Sequence, residues 1–364
     1  MDIATNARRR YLDEVNWPEQ VAYTEHIQRA IDFHFSPETG SDFWIEKSKS
    51  FDFRLSDIRT RADLLRFPDV SAEWRTVPVN VLVPRAMRRN GIQPSIFESG
   101  GTTGAPKRII DAVQWEKTSV WTADRLRALG APVDDGGMMF LGPTGPHVVG
   151  YSNTVMARRL GLELFCIDLD PRFVRLALQR GHDQVAELYV EHVVQQAHWI
   201  LESQDVRLVY LTPPIFAALA TRPEVAELFR KKVRFAVWGS TSMNPDTLAL
   251  LHEVFPDTTI IGGYGNTMMG SALEIPAAEY ELPTFQAYFP YTAWSVLDEH
   301  REQVEYGERG LIAIHVLTPE VFLPVSYERD EATRIRFDGA EGTDLVQNVQ
   351  PLPVAGAAVI EGVY

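Results

Sequence analysis

Between residues 207 and 262, short apolar runs alternate with amphipathic stretches, the rhythm of strands joined through helices. Arg207-Leu208-Val209-Tyr210-Leu211 reads as a strand, Pro214 opens a helix, Val233 to Trp238 is a second strand and Thr258-Thr259-Ile260-Ile261 a third. Asn244 as N-cap and Pro245 at the first helical position start a helix that turns Leu248, Leu251, Val254 and Phe255 to the sheet. Strands connected in this way form a parallel sheet with both faces covered.

Upstream, the pattern predicts a helix from about 113 to 129, stopped at Gly130, and strands at Met138–Leu141 and Leu162–Ile167. The longest helix is expected over Asp183–Ser203, with Val185, Leu188, Tyr189, Val193, Trp199 and Ile200 near one face. His192 and His198 lie on it six residues apart, a spacing that does not place two ligands together, so both are read as structural. The first ninety residues mix short amphipathic helices with proline-punctuated turns, and Asp57 to Pro68 reads as a helix start followed by a stop. After about 280 the pattern changes to short strands and turns, including Leu311–Val316, which suits a small β-barrel-like subdomain. The expected architecture is α/β: one core over 1–364, with α/β subdomains to about 280 and a β-rich subdomain from about 281.

Composition narrows the function classes. Lys and Arg number 35 against 49 Asp and Glu, a net charge of −14 that repels nucleic acid and anionic membranes at long range. The basic run Arg8-Arg9-Arg10 lies among acidic residues on an expected first helix and reads as a solvated face. No segment reaches the roughly 18 continuous apolar residues of a membrane span, and the start carries no signal-peptide core, so a cytoplasmic protein is expected. Cys166 is the single cysteine, which excludes an internal disulfide; its apolar neighbours suggest a buried strand residue.

Residues 99–107 read Ser99-Gly100-Gly101-Thr102-Thr103-Gly104-Ala105-Pro106-Lys107, followed by Arg108. Glycines let main-chain N–H groups approach an anion, the threonines add hydroxyl donors, and Lys107 with Arg108 supplies positive charge. The spacing fails the usual P-loop pattern, because Ala105-Pro106 precedes the lysine and Arg108 follows it. The run resembles instead the Ser-Gly-Thr-Thr-Gly-x-Pro-Lys signature of the adenylate-forming superfamily, with Gly100 where that family usually has Ser.

Parallel sheets bind ligands beyond the carboxyl ends of their strands, which directs attention to Trp238-Gly239-Ser240-Thr241 and Gly262-Gly263-Tyr264-Gly265-Asn266-Thr267. The second run resembles the superfamily's Tyr-Gly-x-Thr-Glu motif. The resemblance implies that Tyr264 stacks on adenine, that Thr267 contacts the α-phosphate, and that the Gly239 loop lies beside the base. Met268 stands where the family has a magnesium-ligating Glu, and a thioether does not replace a hard oxygen ligand. Three alternatives stay open: Glu274 takes over as ligand, the triphosphate itself holds Mg²⁺, or adenylation is weak. Met268 and Met269 could equally widen an apolar pocket wall.

Further segments follow the family in order. Pro143 to Gly150 resembles its Pro-x-x-x-His-x-x-Gly segment, which makes His147 a candidate for orienting substrate; a packed histidine is the plain alternative. Gly307-Glu308-Arg309-Gly310 matches a Gly-Glu-x-Gly turn. Leu323 to Asp330 resembles the segment whose Asp binds both ribose hydroxyls, which assigns that role to Asp330, with Arg329 in place of the usual Gly. The resemblance implies ATP and Mg²⁺ as cofactors and an acid pocket lined by His147, Val148, Gly150, Trp238, Gly239, Gly262, Gly263, Met268, Met269 and Ala272. The front end is similar to phenylacetate-CoA ligases. The chain stops near where relatives begin a mobile C-terminal domain, an outline similar to truncated adenylating enzymes of phenazine (griseoluteic acid) biosynthesis.

The expected function is ATP-dependent adenylation of an aromatic carboxylic acid, giving acyl-AMP and pyrophosphate for a downstream reductase or acyl acceptor. Lys107, Thr267 and His147 are the residues expected to act in it. Two alternatives stay open: a weakly catalytic binder or chaperone of an aromatic intermediate, and AMP activation of nitrite for arylamine diazotisation. Neither a nucleic-acid nor a membrane partner is expected.

Overall fold

The computed structural model of the chain describes residues 3–101, 104–276, 280, 282–339 and 342–352. Thr102 and Thr103 therefore lie outside the described residues. Two compact units divide the chain: the first is Met1–Trp115 with Thr267–Gly270 and Gln286–Val349, the second Glu116–Asn266 with Ser271–Phe285 and Gln350–Tyr364. The β-rich segment thus packs with the helical first 115 residues in one unit.

The chain begins with helices α1 (Ile3–Glu14), α2 (Tyr23–Phe35), α3 (Asp42–Lys47), α4 (Arg61–Leu64), α5 (Val79–Leu82) and α6 (Arg85–Arg89). A hairpin of β1 (Ser95–Glu98) and β2 (Arg108–Asp111) follows, in antiparallel register from Ser95 opposite Asp111 to Glu98 opposite Arg108. The helix start read in 57–68 is real but short: Thr60 and Asp63 form a capping box, and only Arg61–Leu64 is α-helical.

The second unit runs through α7 (Gln114–Ala128), β3 (Gly137–Gly142), α8 (Val148–Leu160), β4 (Glu163–Asp168), α9 (Pro171–Gln179) and α10 (Asp183–Ser203). It continues with β5 (Val206–Leu211), α11 (Pro213–Ala220), α12 (Pro223–Lys232), β6 (Phe235–Gly239), α13 (Pro245–Val254), β7 (Thr259–Asn266), β8 (Gly270–Ile275) and β9 (Thr284–Gln286). Its strands lie in the order β9-β8-β7-β6-β5-β3-β4, and β7, β6, β5, β3 and β4 pair in parallel. Asn244 caps α13 as its sequence predicts, its side chain accepting from Asp246 N at 2.8 Å. Met138, Phe140, Leu208, Phe235, Val237 and Ile261 of the strands pack with Ala123, Leu126, Met156, Ala157 and Leu160 of α7 and α8. Phe216, Phe229 and Phe255 form a second stack, with 4.4 Å between the Phe229 and Phe255 centroids. Each such ring contributes about 2–3 kcal/mol by leaving water.

Two sequence expectations change in this unit. The face of α10 that packs carries Ala186, Val193, Val194, Ala197 and Leu201, whereas Val185, Leu188 and Trp199 are exposed. Small residues let the helix come close, so the packed side is not the one with the largest apolar groups. Cys166 is exposed, not buried, because β4 is the sheet's edge strand.

The first unit is completed by β10 (Thr292–Leu297), β11 (Arg309–Leu317), β12 (Phe322–Arg336) and β13 (Asp344–Pro351), adjacent in that order. The first two pairings are antiparallel. Helices α2 and α3 are tied to these strands through buried polar contacts. His26 Nε2 and His34 Nε2 bond the carbonyls of Leu317 and Thr318 at 2.8 and 2.7 Å, and Trp44 Nε1 donates to Phe322 O at 2.9 Å. Each bond satisfies one polar atom of its ring in the core, while Nδ1 of His26 and of His34 has no hydrogen-bond partner among the described residues. No helix among the described residues is long and apolar enough to cross a membrane.

Candidate functional site

In the first unit, the segment 99–107 is the loop of the β1–β2 hairpin. Ser99 N donates to Lys107 O at 3.0 Å and Lys107 N to Ser99 Oγ at 2.9 Å, which closes the loop at its base. Gly101 and Gly104 take φ values of +66° and +126°, a backbone region that other residues enter at a cost. Arg75 Nε holds the far side through Ala105 O at 3.1 Å.

The Lys107 ammonium points back across the unit, where its Nζ donates to Ser71 Oγ at 2.9 Å. Asp69 organises this contact: Oδ1 accepts from Ser71 N at 2.9 Å and Oδ2 from Tyr327 N at 3.1 Å. The turn at 69–71 therefore brings the glycine-rich loop beside the segment 327–330. Burial lowers the Lys107 pKa, Glu328 and Asp69 raise it, and Arg75 and Arg329 lower it further. Glu328, Arg329 and Asp330 lie in an irregularity of β12. Between the pairs Leu311–Glu331 and Ala313–Tyr327 they stand opposite Ile312 alone, which throws the three out of the ladder. Asp330 is half-buried there.

Thr267 belongs to the same unit, and its Oγ1 lies 3.4 Å from Glu98 O, at the foot of the loop. Arg108 is largely engaged, with Nε 3.3 Å from Glu98 Oε1 and Nη1 3.4 Å from Arg75 O. Its charge is therefore partly spent on the hairpin. Met268 and Met269 are buried, and Thr292 Oγ1 donates to Met269 O at 2.8 Å. Asp69, Ser71, Arg75 and Glu98 were not singled out by sequence; the turn signal Pro68-Asp69 is the one hint the chain offers for them.

In the second unit, the carboxyl ends of β5 and β6 lie level with the middle of β7, with Leu211 opposite Trp238, Trp238 opposite Gly262 and Gly239 opposite Gly263; the run Gly262–Asn266, expected to follow a strand ending at Ile261, instead continues β7. Ser240 turns the chain away at φ +71°. The glycines here make room first for the protein's own side chains. A Cβ on Gly239 would stand 2.8 Å from the Tyr210 hydroxyl; one on Gly262 would stand 2.7 Å from Trp238 Cζ2 and 2.9 Å from Glu274 Oε2. Tyr264 is half-buried and tilts against Phe285, 5.8 Å between centroids, and Phe285 meets Trp238 edge-on at 6.3 Å. Gly265, Asn266 and Thr241 are half-buried, Ser240 exposed and Ala272 buried.

Glu274 lies on β8, beside Gly262. Its Oε2 accepts from Gly262 N, and burial raises its pKa to about 7, partly offset by that bond. Among the described residues there is no group of three His, Cys, Asp or Glu side chains able to hold a metal ion.

His147 and Val148 are buried at the start of α8. His147 N donates to Thr144 O at 2.9 Å, and Thr144 is in turn fixed by Asp168, which accepts from its N at 2.8 Å and its Oγ1 at 2.6 Å. Gly150 is needed at this approach, since a Cβ would stand 2.8 Å from Thr144 Cα.

Residues 173–322 match the AMP-binding enzyme family, a stretch shorter than half of the chain. No curated protein sequence matches it. The fold is similar to part of that of 2-hydroxyisobutyryl-CoA ligase. A structure in the postadenylation state in complex with R3-HIB-AMP aligns with TM-score 0.60 and 15% identity, over 89% of this chain and 65% of that one. An open conformation in complex with 2-HIB-AMP and CoA aligns with TM-score 0.61 and 15% identity, over 89% and 72%. The chain thus spans about two thirds of the length of those ligase chains.

Proposed function

We propose that this chain, built on the α/β core that adenylate-forming enzymes share, activates an aromatic carboxylic acid with ATP, releasing pyrophosphate and forming acyl-AMP. The observation that carries the reading is the Lys107–Ser71 contact. Through Asp69 it sets the glycine-rich loop next to Tyr327–Asp330, so a cation and main-chain donors lie near a carboxylate suited to a cis-diol. A nucleoside triphosphate needs that combination.

In this reading each residue keeps the role that its motif implies. Lys107, with Arg108, Thr102 and Thr103, stabilises charge on the leaving pyrophosphate, Thr267 assists at the α-phosphate, and Asp330 accepts from the ribose hydroxyls. Tyr264 serves the base, with Gly239, Ser240, Thr241, Gly265 and Asn266. His147, Val148, Gly150, Trp238, Gly262, Gly263 and Ala272 serve the acid. Magnesium enters on the triphosphate's own oxygens, and no step is assigned to a protein-held ion. The acyl group then passes to a reductase or another acceptor. Phenazine carboxylates suit the aromatic lining of Trp238 and Phe285.

Isotope exchange between pyrophosphate and ATP across a panel of aryl carboxylates tests the proposal. Acid-dependent exchange is expected with at least one of them. Tight acid binding without exchange for any of them would replace it with the binder reading, and exchange supported by nitrite would redirect it to diazotisation.

A further inference from the structure

Two polar groups converge over Gly262 at the carboxyl edge of the second unit's sheet. Trp238 Cζ2, Trp238 Cε2 and Glu274 Oε2 lie 2.7, 3.0 and 2.9 Å from where a Cβ on Gly262 would stand. Cε2 carries the indole nitrogen, so the N–H edge of the ring and the carboxylate occupy the same small region. The carboxylate is half-buried; Trp238 is 5% exposed. Glu274 uses one oxygen on Gly262 N, and Trp238 Nε1 has no hydrogen-bond partner among the described residues.

A buried indole N–H left unpaired is costly, and tryptophan is usually placed where that donor is satisfied. The neighbouring carboxylate could receive it but does not. Apolar substitutes would fill the volume without that penalty, so a donor and an acceptor held together here call for a ligand group with both functions. Around them stand Phe285, edge-on to Trp238, and Tyr264 against Phe285, a flat aromatic lining.

We infer that Trp238 and Glu274 form a hydroxyl-recognition subsite, so that the preferred acid is a hydroxylated aryl carboxylate whose hydroxyl donates to Glu274 and accepts from the indole N–H. A hydroxyl does both through one oxygen. An aryl amine donates well but accepts poorly, and a carboxamide splits the two functions between separate atoms. The inference rests on the adenylation reading and narrows its substrate class.

The test is equilibrium binding and acid-dependent pyrophosphate release with benzoate, the ortho, meta and para hydroxybenzoates, meta-aminobenzoate and meta-carbamoylbenzoate. One hydroxy isomer should bind at least about tenfold tighter than benzoate. Glu274→Gln and Trp238→Phe should each remove that preference, so that no hydroxy isomer binds more than about threefold tighter than benzoate to the same variant. If Trp238→Phe does not fold, Glu274→Gln alone decides. Equal binding of all acids, a preference for the amine or carboxamide, or a hydroxyl preference that survives in the variants would overturn the subsite and leave adenylation standing. Absence of binding and of release with every acid would count against both.

Discussion

Lys107 Nζ lies 2.9 Å from Ser71 Oγ, a contact between the end of the glycine-rich loop and a turn 36 positions earlier. This bond fixes where the loop's cation points. Replacing Lys107 with Ala should lower pyrophosphate exchange by about a hundredfold or more, the usual scale for removing a charge at a developing anion. Ser71→Ala leaves the charge but frees its position, so a smaller loss is expected. Equal exchange rates for wild type and Lys107→Ala would remove this lysine from the chemistry.

Three histidines of the first unit, His26, His34 and His315, are buried, and burial lowers each pKa to about 4. Each is bonded to a main-chain carbonyl, that of Pro324 in the case of His315. In the unfolded chain they protonate near pH 6.5, so the unfolded state binds more protons between pH 6.5 and 4. Stability is therefore full above pH 6.5 and falls as the pH drops through that window, by up to about 3 kcal/mol per ring. Urea midpoints measured from pH 7 down to 5 should decline steadily; a flat profile would show that these rings charge without penalty.

Asp344 is 4% exposed at its side chain and receives Arg61 Nη2 at 2.7 Å and Arg334 Nε at 2.8 Å, with the Tyr306 hydroxyl at 3.1 Å. Removing it strands two largely buried guanidinium groups. Asp344→Ala should cost about 3–5 kcal/mol in chemical denaturation, well beyond a surface ion pair. A loss below about 1 kcal/mol would mean that water reaches the arginines.

Cys166 on the edge strand should react with a thiol reagent in the native state. Its pKa is raised, first by partial burial and then by Asp168, so the reaction should be slower at neutral pH than that of a free thiol and should accelerate as pH rises. Labelling only after unfolding would return this residue to the interior.

The βαβ stretch was legible because its signals are local. Asn244 and Pro245 cap α13 by their own chemistry, and the apolar runs Leu208–Leu211, Phe235–Trp238 and Ile260–Ile261 fall in the strands at 206–211, 235–239 and 259–266, the last of which extends past its apolar run through Gly262–Asn266. Which side of α10 packs was not legible. Leu188 and Trp199 carry more apolar surface than Ala186 and Ala197, yet the alanines face inward, because close approach of the helix is a property of its neighbours. Cys166 was misread for a related reason: a short apolar strand looks alike at the centre and at the edge of a sheet.

By itself the sequence determined the α/β rhythm, the helix caps and the glycine-rich loop with its lysine, all set by residues within a few positions of one another. The tertiary structure alone decided what that lysine meets. Ser71, Asp69 and Tyr327 join it from positions up to 258 residues apart, and Glu274 comes to lie with Trp238 over Gly262. Those contacts depend on strand order and on a bulge in β12, which long-range packing selects and no local pattern encodes.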